Sequence, residues 1–151
     1  MGFQGVYYNS IDAKGRASIP ARFREQLKEL FQADVLVVTQ DRCGIVAYPV
    51  SEWESFLEKF AQLPNGQFRE DLYFTTVTPA THCTFDKQGR IQLPQSLREY
   101  CQLDTDGVRD VVVVGGAKKI QIFNKTRYLE MLAEAEQRQA DDRQKRFDLG
   151  L

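Results

Sequence analysis

The chain has 151 residues, is 42% hydrophobic, and carries 20 Lys+Arg against 21 Asp+Glu for a formal charge of −1. This is an ordinary globular composition, and nothing in the total charge marks a polyanion binder. Three cysteines (Cys43, Cys83, Cys101), odd in number and without a Cys-x-x-Cys, argue against a disulfide scaffold and for a reducing compartment.

No apolar run approaches the roughly 18 residues of a membrane span, and residues 1–8 do not read as a signal peptide. The expectation is a cytoplasmic protein with no membrane partner. The length suits one domain, or two very small units that share a core, because a unit of about 50 residues buries too little surface to stand alone. The near-neutral total hides two regions. Residues 12–28 hold Lys14, Arg16, Arg22, Arg24 and Lys28 against Asp12 and Glu25, whereas residues 51–71 hold Lys59 and Arg69 against five acids. Local field steers a charged partner more than total charge does.

In chain order, GVYYNSI is a strand ending at Asp12, and Ala13-Lys14-Gly15 is a turn in which Gly15 supplies the positive φ of a short hairpin loop. RASI is the returning strand. Pro20 suits the first turn of a helix, where its missing N–H does no harm. Phe23, Leu27, Leu30 and Phe31 then give that helix an apolar stripe. VLVV and GIVAY are strands of a hairpin around TQDRC. Ser51, with Glu54 three residues later, reads as a capping box. It opens a helix with Trp53, Phe56, Leu57 and Phe60 on its apolar face, and Pro64-Asn65-Gly66 stops it.

The first half then repeats. Asp12 aligns with Asp86, and at that offset Gly15 meets Gly89, Arg16 meets Arg90, Pro20 meets Pro94 and Arg24 meets Arg98. DVLVVTQ answers DVVVVGG, and GIVAYPVSEW answers KIQIFNKTRY, with the offset drifting slightly. A motif found twice is a duplication and not a solenoid. The second copy predicts a shorter helix at about Pro94 to Tyr100 and a hairpin turning through GGAK. Residues 126–146 read as a final helix with Tyr128, Leu129, Leu132 and Ala135 on its apolar face, running into a polar tail expected to be mobile.

The repeated Asp-x-x-Gly-Arg turn holds an arginine on stiff backbone beside a protruding loop, with Lys14 and Lys87 inside the two turns. Asp12 and Asp86 can accept turn N–H groups or pair with the arginine four residues on. Arginine's planar fork suits phosphate oxygens and the guanine O6/N7 edge, and two-stranded β elements enter the major groove. One such turn alone reads as a structural tie; its recurrence makes it a shared fold signature. An enzyme is disfavoured. His82 and Cys83 are strand neighbours that point to opposite faces, VVGGAKK lacks phosphate-loop spacing, and the chain is poor in metal ligands. Arg16 and Arg90 favour the ionised form of any Asp12–Asp86 pair. No catalytic residue, metal or cofactor is expected. A protein-interaction or antitoxin-like module on the same fold, presenting its helices to a partner, is the rival reading.

DAKGRASIPARFREQL and DKQGRIQLPQSLREY closely resemble the paired motifs of the MraZ family, bacterial regulators with two SpoVT-AbrB-type domains; the likeness runs from about Phe3 to Leu132. The resemblance implies a mainly β, α+β fold. Tandem ββαβ units form a swapped-hairpin (double-split) β-barrel, with a linking helix and a C-terminal helix. Repeat 1 would span 5–52, a helical connector 53–80, repeat 2 81–126, and the last helix and tail 127–151. It further implies a ring-shaped homo-oligomer that binds double-stranded DNA at short direct repeats. Such a regulator would control a division and cell-wall gene cluster, including its own promoter, in association with the nucleoid. The DNA contacts implied are Arg16, Arg90, Lys14, Lys87, Arg22 and Arg24, supported by Asp12, Gly15, Asp86 and Gly89. The second copy is the less basic, TDGVRD (105–110) is about one residue longer than usual before the Val strand, and Phe123 stands where a Trp is common. The first copy is therefore the stronger candidate.

Overall fold

The computed structural model describes residues 2–103, 107 and 109–151; three of the six TDGVRD residues lie outside them, and with them the extra residue expected there. The first copy supplies β1 (Val6–Ser10), β2 (Arg16–Ser18), α1 (Ala21–Phe31), β3 (Val35–Asp41) and β4 (Gly44–Pro49). The second supplies β5 (Thr81–Thr84), β6 (Arg90–Gln92), α4 (Gln95–Tyr100), β7 (Asp110–Gly115) and β8 (Ile120–Asn124). Between them lie α2 (Val50–Ala61), α3 (Gln67–Leu72) and a π-helical turn, Tyr73–Val77; α5 (Lys125–Ala140) and α6 (Arg143–Asp148) follow.

The two copies build one antiparallel sheet in the order β1-β7-β8-β4-β3-β5. Hairpins β3–β4 and β7–β8 meet at its centre, where Ile45 faces Ile122 and Ala47 faces Ile120. Each copy's first strand crosses to the other copy's hairpin: β1 pairs with β7, Val6 opposite Val114, and β5 pairs with β3, Leu36 opposite Cys83. The edge strands then run through the two Asp turns into β2 and β6, which pair only with each other. That exchange is the expected swapped-hairpin α+β architecture. It corrects one local expectation, because RASI does not pair back along GVYYNSI. A single bridge, Ile11 to Ala17, joins them before they part.

The core is common property. Ile19, Phe23, Leu27 and Leu36 from the first copy pack with Ile91, Leu93, Leu97 and Ile122 from the second, all at most 2% exposed. Phe23 meets Phe3 and Tyr7 edge-on, which fastens α1 to the N-terminal segment. Leu30 departs from the predicted stripe and is 40% exposed, while Phe31 instead stacks on Phe3. α2 covers the outer face of β3 and β4, and α5 that of β7 and β8.

Helix α2 starts one residue before Ser51, and Pro49, not a Ser51 box, precedes it. β4 pairs as far as Pro49, whose fixed φ ends the strand and opens the helix, so Ser51 falls in the first turn. Asn124 does cap α5, accepting from the Arg127 N–H at 2.7 Å while donating to the Cys101 carbonyl at 2.9 Å. The α5 face is more open than its pattern implies, since Leu129 and Leu132 are exposed. Among the described residues no helix is long and apolar enough to cross a membrane.

Candidate nucleic-acid interface

Both Asp turns are built alike. The Asp12 carbonyl accepts from the Gly15 N–H at 3.0 Å, and the Asp12 N–H donates to the Arg16 carbonyl at 3.1 Å. Asp86 makes the same bonds with Gly89 and Arg90 at 3.0 and 2.9 Å. Gly15 (φ +79°) and Gly89 (φ +76°) take the left-handed conformation that closes each loop.

The carboxylates divide their work. Asp12 Oδ1 accepts the Lys14 and Arg16 N–H groups at 3.0 and 2.9 Å, and Oδ2 takes Arg16 Nε. Asp86 does the same with Gln88 and Arg90, both at 2.9 Å, and with Arg90 Nε at 2.8 Å. Each aspartate therefore ties its loop and aims its arginine at once. The Arg16 backbone N–H is the main force lowering the Asp12 carboxyl, to about 2, and burial only partly opposes it. Asp86 is lowered for the same reason, led by the Arg90 N–H.

The β2–β6 ladder brings the two motifs together. Ala17 lies opposite Ile91, and both side chains are fully buried. Alternation then turns Arg16, Ser18, Arg90 and Gln92 to the other face. Arg16 and Arg90 are thus diagonal neighbours on one surface, with side chains 33% and 23% exposed. Asp12 links them, because Arg90 Nη1 also approaches its Oδ2 at 3.4 Å. Among the described residues the Arg16 guanidinium engages Asp12 through Nε alone, which leaves both η nitrogens uncommitted. Lys14 and Lys87 are exposed at the loop tips, and Arg22 is exposed on α1. The surface offers cationic, fork-shaped donors with fixed direction, the chemistry that phosphate oxygens and base edges require.

A family model described as "MraZ protein, putative antitoxin-like" matches residues 3–73 and 76–149. The chain belongs to the MraZ family. It is 46% identical over 136 residues to the transcriptional regulator MraZ of Syntrophotalea carbinolica, covering 90% of each chain. Its likeness to the transcriptional regulators MraZ of Pediococcus pentosaceus (37% identical) and Desulfitobacterium hafniense (38%) covers 99% of each chain.

Within this MraZ chain Arg24 is the one predicted contact whose polar group turns inward. Its Nε donates to the Ile19 carbonyl at 3.1 Å, and its guanidinium lies against the Gly89 loop. Sequence reasoning passed over Gln92, whose Nε2 donates to the Lys14 carbonyl at 2.7 Å. The alternation of RIQLP would have found it, since it places Gln92 on the face of Arg90. His82 and Cys83 do fall on opposite faces of β5, one exposed and the other buried. Burial pushes the Cys83 thiol up to about 11, away from a nucleophile's range.

Proposed function

We propose that this chain is a transcriptional regulator that binds double-stranded DNA through the β2–β6 ladder. The observation that supports it best is the pair of arginines on one exterior face, joined by Asp12. Arg16 and Arg90 make the principal contacts. Lys14, Lys87 and Arg22 add attraction for phosphates, and Asp12, Asp86, Gly15 and Gly89 hold the loops in shape. The names of the relatives support regulation of transcription. The family resemblance supports short direct repeats upstream of the chain's own gene, in a division and cell-wall cluster, as the operator.

One subunit offers few cations, so its own binding is weak and salt-sensitive. A ring-shaped homo-oligomer set on repeated sites multiplies it, because linked contacts raise apparent affinity by about 10²–10⁴. The decisive measurement is fluorescence anisotropy with a duplex from upstream of the gene, against a scrambled duplex. Arg16→Ala is expected to weaken specific binding by about tenfold or more. Equal binding by Arg16→Ala and wild type would sink the assignment.

The second reading is a protein-interaction or antitoxin-like module. Its support is the exposed aromatic surface of Phe68 (69%) and Phe74 (61%) beside Tyr73. Under that reading the anisotropy does not distinguish operator from scrambled DNA.

A further inference from the structure

Each Asp turn is held by the opposite copy as well as by its own aspartate. The Leu93 N–H donates to the Gly15 carbonyl at 3.0 Å, and the Ile19 N–H donates to the Gly89 carbonyl at 3.2 Å. Leu93 and Ile19 directly precede Pro94 and Pro20, the residues that open α4 and α1. From the first turn of each helix an arginine reaches back over this junction. Arg98 Nη1 donates to the Leu93 carbonyl at 2.9 Å and onward to the Lys14 carbonyl at 3.2 Å, in the other copy's loop. Arg24 Nε donates to the Ile19 carbonyl, and its Cζ lies 2.5 Å from where a Cβ on Gly89 would stand. On Gly15 a Cβ would meet Arg98 Nη1 at 1.5 Å. The glycines thus leave room for the opposite copy's guanidinium, a demand separate from their φ.

We propose that Arg24 and Arg98 are positioning residues forming a crossed clamp, in which each copy's helix arginine fixes the other copy's DNA-contacting loop. The clamp rests on the DNA-binding reading for its purpose but not for its geometry. Both guanidiniums are half-buried, and the groups they hold are backbone carbonyls and glycine loops, so their charge serves the protein interior. The first loop is held harder, because Gln92 shares the Lys14 carbonyl with Arg98. The two recognition loops then move as one body, and the Arg16–Arg90 spacing is set by residues that touch no DNA.

The test is hydrogen exchange on the full chain, with peptides resolving residues 12–16 and 86–90. Arg98→Ala should speed exchange in the first loop and spare the second; Arg24→Ala should do the reverse. Arg98→Lys, which keeps a cationic donor nitrogen, should restore much of the first loop's protection. Gly15→Ala approaches from the other side, expelling Arg98 without altering α4, and should match Arg98→Ala at the first loop. No change in either loop, or equal change in both, overturns the clamp. Anisotropy adds a second readout. Arg98→Ala should weaken operator binding several-fold with an unchanged slope of log affinity against log salt, whereas Arg16→Ala should flatten that slope. A slope that flattens by about one for Arg98→Ala makes it a phosphate contact and overturns the positioning role. Failure of Arg16→Ala to affect binding sinks the DNA reading, while the exchange pattern still decides the clamp.

Discussion

Asp12 shows how one side chain can serve fold and function together. Its lowered carboxyl fixes a pH window. A carboxylate depressed from 3.8 to about 2 adds stability that is complete above its ordinary value and is lost as pH falls through about 2. Thermal melts from pH 6 downward should therefore fall off between about pH 4 and 2, and Asp12→Asn should remove part of that drop while Asp86 keeps its share. Gly15→Ala should cost about 1–2 kcal/mol from the left-handed backbone alone, before Arg98 is displaced; urea denaturation reads it directly. The aspartates, glycines and arginines of the turns were legible because the motif occurs twice. The partners of Arg24 and Arg98 were not, since no local pattern tells a surface arginine from one that reaches across to another copy's carbonyl.

Among elements, the strands were the most legible and the connector the least. VLVV and GIVAY announce β3 and β4 by branched side chains. The turn between them takes Arg42 and Cys43 at φ +46° and +68°, a conformation usually advertised by Asn-Gly, which neither residue signals. α3 and the π-helical turn have no clean apolar stripe, and Pro64-Asn65-Gly66 marked only where α2 stops. Polar ties dock this segment: Arg69 of α3 donates to the Phe60, Ala61 and Leu63 carbonyls at the end of α2, and the Thr39 hydroxyl, fully buried in β3, donates to the Thr76 carbonyl of the π-helical turn at 2.6 Å. Thr39→Val keeps the shape and removes the donor, so it should cost about 1–3 kcal/mol and speed hydrogen exchange over residues 73–78. Phe23→Ala, in the core beneath α1, should cost about 3–5 kcal/mol by equilibrium unfolding.

For the whole molecule, the duplication was visible in the residues themselves, whereas the exchange of strands was expected only through the family resemblance. Alternation says which face a strand buries and is silent about its ladder partner. The exchange makes the halves inseparable. A fragment of residues 1–80 keeps β1 and β2 but loses β7 and β6, the strands that pair with them. It should show no cooperative melt by circular dichroism, and co-expression with residues 81–151 should restore one. The same topology bears on how the protein is made. β1 leaves the ribosome about 100 residues ahead of β7, a wait of roughly 5–20 s at ordinary elongation rates. Through that interval the nascent N-terminal strand has an open edge and a neighbouring polysome chain of the same sequence beside it, so each newborn chain is exposed to completing its sheet with a sibling's strand instead of its own.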